Sequence, residues 1–123
     1  MEADEQPGTI LVVDDDASIR RVVKAFLEAA GYTVVIARDG ELGLDCFKQN
    51  RATIALLLTD IVMPNMNGLD LADRVLELDE KLPVLFMSGT AGNADRGYGC
   101  VKKPFRGSEL LARVVAVLQE RAS

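Results

Sequence analysis

Three stretches of the chain carry no polar side chain: ILVV at 10–13, ALLL at 55–58 and VLFM at 84–87. A strand with one face in water alternates apolar and polar residues. A run that is apolar at every position needs cover on both faces, as in a parallel sheet sandwiched by helices. The runs are far shorter than the roughly 20 residues a membrane-spanning helix requires. TVVIA at 33–37 is rich in β-branched residues and predicts a fourth strand, and GCVK at 99–102 a short fifth.

Helical spacing fills the intervals. Ile19, Val22, Val23, Phe26, Leu27 and Ala30 fall on one helix face, and Gly31 suits the position just past its end. Asp16 predicts the cap of that helix, Asp39 caps a second with Leu42, Cys46 and Phe47 inward, and Asn67 caps a third carrying Leu69, Ala72 and Leu76. A last helix presents Leu111, Val114, Val115 and Leu118. Strands alternating with helices in 123 residues imply one doubly wound α/β domain, without internal repeat or linker.

Composition narrows the function. The net charge is −5 and the Lys and Arg residues are scattered, which argues against a nucleic-acid surface. The opening MEADEQPG lacks the basic and apolar regions of a secretory signal. Residues 1–8 are expected to form a disordered lead, with the domain over 9–121 and the protein cytoplasmic, with no membrane partner. Cys46 and Cys100 match no metal pattern and read as reduced, partly buried packing residues. The chain has no histidine, so His-based catalysis and phosphohistidine chemistry must be supplied by another protein or another part of a longer one. Two further patterns fail: NMNG in a calcium-loop frame puts Met63 and Arg74 at ligand positions, and Gly97 and Gly99 lack the third glycine of a dinucleotide loop.

In a doubly wound sheet, ligands bind beyond the C-terminal ends of the strands. After the first run come Asp14, Asp15 and Asp16; after the third strand, Asp60; after VLFM, Ser88; after the fifth candidate, Lys103. Singly, each has an ordinary explanation as a cap, turn or surface residue. Capping accounts for Asp16. It does not account for Asp14 and Asp15, whose adjacent carboxylates repel unless something positive sits beside them.

VVDDD, LTDIVMPNMNG, MSG and KKPF, in that order, resemble the receiver domain of two-component response regulators across nearly the whole chain. The resemblance implies a flavodoxin-like five-stranded parallel sheet in the order 2-1-3-4-5 with helices on both faces. It implies Asp60 as phosphoacceptor, assisted by Lys103 and Ser88. Mg²⁺ is expected on Asp15, Asp60 and the backbone carbonyl of Val62, with Asp14 acting through water. The phosphoryl donor would be a histidine kinase or histidine phosphotransfer protein. The domain would catalyse at most its own phosphorylation and dephosphorylation, and would signal through a conformational change. A cis peptide before Pro104 is also implied.

The chemistry is coherent. A carboxylate can attack a phosphoryl group to form an acyl phosphate. The charge this adds beside other carboxylates calls for a divalent cation and a lysine, with a hydroxyl as neutral donor. Two other classes remain. Asp14-x-Asp16-x-Ser18 resembles the start of haloacid-dehalogenase-type phosphatases, although Ser18 stands where Thr or Val is usual and no cap domain is present. A pseudo-receiver would keep the fold as a docking module without phosphorylation.

Two features depart from the family pattern. Cys100 stands three residues before the lysine, where many receivers place an aromatic that turns inward, and Tyr98 is two residues away from it. Only the fourteen residues from 89 to 102 separate Ser88 from Lys103, and the segment GTAGNADRGYG holds four glycines. Glycine disfavours helix by about 1 kcal/mol relative to alanine, so the helix between the fourth and fifth strands is expected to be shortened or absent.

Overall fold

The structure is a computed structural model that describes residues 8–89 and 99–122. Its elements run β1 (Thr9–Val13), α1 (Ala17–Ala29), β2 (Thr33–Ala37), α2 (Gly40–Gln49), β3 (Ile54–Asp60), α3 (Gly68–Leu78), β4 (Val84–Ser88), β5 (Cys100–Lys102) and α4 (Gly107–Ala122). All neighbouring strands pair in parallel, in the order β2-β1-β3-β4-β5, as the resemblance implied. The shortened or absent helix and Tyr98 fall on 90–98, outside the described residues, as does most of the expected disordered lead.

The uniformly apolar runs are explained by two cores, one on each face of the sheet. Alternate side chains point to opposite faces. Leu11, Val13, Leu57 and Phe86 meet α2 and α3 through Leu44, Phe47, Leu71 and Val75. Ile10, Val12, Leu56, Leu58, Leu85 and Met87 meet Val23 and Leu27 of α1 and Leu110 and Val114 of α4. Burying each such side chain is worth roughly 1.5–3 kcal/mol. Strand β2 lies at an edge and is only partly covered.

The helix phases differ from expectation by about one residue. In α1, Val23 and Leu27 are buried but Val22 and Phe26 are 47% and 38% exposed. In α2, Leu42 turns outward and Gly40, Gly43, Leu44 and Phe47 turn inward. In α3, Leu71, Ala72 and Val75 are buried, whereas Leu69 and Leu76 lie at the margin. In α4, Leu110 replaces Leu111 at the centre and Val115 faces out. The caps stand as read. Asp16 accepts from the Ser18 and Ile19 amides, Asp39 from Leu42 and Asn67 from Asp70, and Gly31 has φ +100° just past α1.

Strand registers bring the C-terminal ends together. Val13 lies opposite Thr59, Asp60 opposite Met87, and Ser88 opposite Lys102. The polar residues that follow β1 and β5, and those that close β3 and β4, therefore share one edge of the sheet.

Candidate functional site

Asp14 leaves the end of β1 fully buried and is fixed at four points. Its N–H donates to the Ala37 carbonyl at 3.2 Å. Its Oδ1 accepts from the Asp16 amide at 2.9 Å and its Oδ2 from Lys103 Nζ at 2.8 Å. Its carbonyl accepts from the Arg20 guanidinium at 2.6 Å. A carboxylate with no solvent contact needs such partners to offset the loss of its hydration.

Asp60 closes β3 and is 7% exposed. Lys103 Nζ is 3.4 Å from its Oδ2. Its backbone is held as firmly as its side chain. The Thr59 hydroxyl donates to the Asp60 carbonyl at 2.9 Å, and the first residue of α3, Gly68, packs directly on that carbonyl. The Gly68 amide also donates to the Ile61 carbonyl at 2.8 Å. The loop between Asp60 and Gly68 closes on itself through these contacts and through Asn65, whose φ is +66°. Val62, two residues past Asp60, is exposed in that loop.

Lys103 follows β5, and its peptide bond to Pro104 is cis. The Lys103 amide donates to the Ser88 carbonyl at 2.7 Å, so the lysine backbone is tied to the end of β4. Ser88 is buried beside it. One ammonium thus bridges two carboxylates from strands that are distant in sequence.

The electrostatics are unbalanced. Burial raises the Asp60 pKa above the ordinary aspartate value and the Asp14 charge raises it further; Lys103 offsets only part of this, and Asp15 adds to it. Burial works against the charged form of Lys103, but its hydrogen bond to Asp14 and its attraction to Asp14 and Asp60 together hold its pKa above the usual lysine value. Carboxylate oxygens of Asp14, Asp15 and Asp60 lie within 4.8 Å of one another, and Asp15 is exposed at the mouth of the group. Three acids against one lysine leave negative charge at this edge. An all-carboxylate donor set with one open member fits a hard divalent cation. Asp16 is not part of the group: its side chain is spent on the cap of α1.

The structure therefore gathers Asp14, Asp15, Asp60, Ser88 and Lys103, all singled out in the sequence. Sequence reasoning missed Arg20, Thr59 and the approach of Gly68 to Asp60. Arg20 follows the Asp16 cap by one helical turn, which gives a weak signal at best. The contacts of Thr59 and Gly68 are to main-chain atoms and leave no mark in side-chain patterns. Cys100 is a half-buried thiol, in no disulfide, packed on the α2–α3 side of the core. Burial, and then the charge of Asp45, push the Cys46 thiol up, which keeps it protonated and unreactive at neutral pH.

No helix among the described residues is long and apolar enough to cross a membrane. A family model described as the response regulator receiver domain matches residues 10–115. The transcriptional regulatory protein CpxR of Escherichia coli K12 is 36% identical over 117 residues, covering 89% of this chain and 49% of CpxR. This chain spans about half the length of the curated relatives it matches. Among solved structures, the receiver domain of the hybrid histidine kinase CckA superposes with a TM-score of 0.81 at 36% identity, covering 91% of this chain and all of that one. The chemotaxis protein CheY4 of Vibrio cholerae gives a TM-score of 0.83 at 28% identity, covering 90% and 98%.

Proposed function

The chain belongs to the response regulator receiver domain family, and from that premise we propose that its acidic edge is a phosphoacceptor site centred on Asp60. Asp60 attacks the phosphorus of a phosphohistidine presented by a histidine kinase or histidine phosphotransfer protein. The phosphorus–nitrogen bond breaks, the imidazole leaves and takes up a proton, and an acyl phosphate forms on Asp60. The observation that carries this reading is the Lys103 ammonium, which reaches both Asp14 and Asp60 from the end of β5. It stands where a phosphoryl oxygen on Asp60 would gain a positive partner. Ser88, at the end of the adjoining strand, is the candidate neutral donor.

Mg²⁺ would be held by Asp15, Asp60 and the backbone carbonyl of Val62, with Asp14 contributing through water. Both Asp14 carboxylate oxygens already serve protein partners, which suits an outer role. When bound, the ion offsets the charge that the carboxylates and the phosphoryl oxygens place at one point. The phosphorylated state alters binding to an output partner, and the domain acts as a signalling element rather than a turnover enzyme.

The phosphatase alternative would make Asp14 the nucleophile. Its full burial and its occupied oxygens oppose that assignment. Incubation with Mg²⁺ and a small acyl phosphate separates the classes by intact mass. A receiver accumulates one phosphoryl group per chain. A phosphatase consumes donor continuously without stoichiometric accumulation, and a docking module does neither.

A further inference from the structure

Asp15 is the weak point of the site. Its neighbours are pinned, but among the described residues nothing bonds to its carboxylate, and it is exposed. Its direction is therefore set by the backbone that presents it. The Asp14 carbonyl and the Asp15 amide lie in one rigid plane, so whatever fixes the Asp14 oxygen fixes where the Asp15 side chain begins. That oxygen is held by the Arg20 guanidinium at 2.6 Å. A charged donor makes this a strong hydrogen bond. Arg20 is itself anchored, because its amide donates to the Asp16 carbonyl at 3.1 Å in the first turn of α1. The acidic loop and the helix that follows it brace one another through this residue.

We propose that Arg20 is a positioning residue for the metal site, holding the Asp14–Asp15 peptide so that the Asp15 carboxylate faces the other two acids. This rests on the metal reading above. Partners that orient metal ligands typically change affinity 10–100-fold when removed, and an arginine that is only partly buried belongs at the lower end, about 10-fold. Charge alone predicts the opposite: deleting a cation beside an anionic site should tighten cation binding. The sign of the effect therefore separates positioning from simple electrostatics.

The test is an NMR titration of amide shifts with Mg²⁺ alone, on the full chain and on Arg20→Ala, Arg20→Lys, Asp15→Asn and the Arg20→Ala/Asp15→Asn pair. Metal-free urea unfolding of each checks the fold. Arg20→Ala should weaken Mg²⁺ about 10-fold. Arg20→Lys, which restores a donor of similar reach, should recover most of the loss. In the Asp15→Asn background, Arg20→Ala should change affinity less than about 2-fold, because the two residues act as one unit. An affinity for Arg20→Ala at or above wild type overturns the proposal, and so does an equal loss with and without Asp15. Should Arg20→Ala not fold, Arg20→Lys weakened as far as Asp15→Asn overturns it, and recovery supports it. A wild-type chain that binds no Mg²⁺ overturns the metal reading itself and this inference with it.

Discussion

Gly68→Ala tests whether the end of β3 is as tightly built as its contacts imply. A Cβ on Gly68 would lie 2.0 Å from the Asp60 carbonyl oxygen, 2.9 Å from its carbon and 3.0 Å from the Ile61 Cα. All three are backbone atoms, so no side chain can swing aside. An ordinary carbon–oxygen contact is about 3.3–3.6 Å, so α3 or the strand end must shift by roughly 1.5 Å. Both are anchored, by the Gly68 amide on Ile61 and by the Asn67 side chain on the Asp70 amide at 2.8 Å. Overpacking of this kind costs about 1–3 kcal/mol, and alanine's better helix propensity returns at most about 1 kcal/mol. The net loss of roughly 1–2 kcal/mol corresponds to about 4–8 °C in Tm for a domain of this size. The same displacement moves the proposed nucleophile, and misplacement by about 1 Å can slow a reaction some 10²-fold. Thermal melting and the rate of phosphorylation by a small acyl phosphate read the two effects. Gly89→Ala is the stability control, because nothing lies within 4 Å of its added Cβ. If Gly68→Ala melts with wild type and is phosphorylated at the wild-type rate, the steric argument is wrong.

Lys103→Met should destabilise the metal-free protein by roughly 2–4 kcal/mol in urea unfolding, because it leaves two buried acids without their cation; unchanged stability would show that the ion pair is dispensable. Asp60→Asn should raise the metal-free Tm at pH 7. The folded pKa of Asp60 lies above its unfolded value, so its favourable contribution is complete below the unfolded pKa and is lost as pH rises through the folded one. The gain from asparagine should therefore shrink in melts at pH 4, and a gain that grows with acid would contradict the sign. Asp16→Ala should lose about 1 kcal/mol of stability as a cap but retain Mg²⁺ affinity, whereas Asp15→Ala should do the reverse; equal calorimetric losses of Mg²⁺ affinity in both would contradict that division.

The strands were legible because ILVV, ALLL and VLFM are short and apolar at every position, which suits a doubly covered sheet. The site was legible for a related reason: a strand end is a fixed point, so residues at or just past the ends of four neighbouring parallel strands converge. Helix faces were read less well. The apolar residues of α1 and α4 cover a wider arc than the sheet buries, so periodicity identified the helix but not its centre. In α2 the buried face includes Gly40 and Gly43, which hydropathy does not count, and which approach Met66 and Val13 too closely for a side chain. What stayed hidden at the site is backbone geometry: the Arg20 hydrogen bond to a carbonyl, the Thr59 hydroxyl on Asp60 and the left-handed Asn65. Such contacts depend on where main-chain oxygens point, which residue types alone do not encode.

If Asp60 is the acceptor, no other carboxylate of the cluster receives the phosphoryl group. Phosphorylating the chain with Mg²⁺ and a small acyl phosphate, reducing the acyl phosphate with borohydride and mapping the modified peptide by mass spectrometry addresses it directly. A single modification at Asp60 is expected, abolished in Asp60→Asn and by hydroxylamine treatment before reduction. Modification at Asp14 or Asp15 in the wild-type chain, or undiminished labelling of Asp60→Asn, would contradict it.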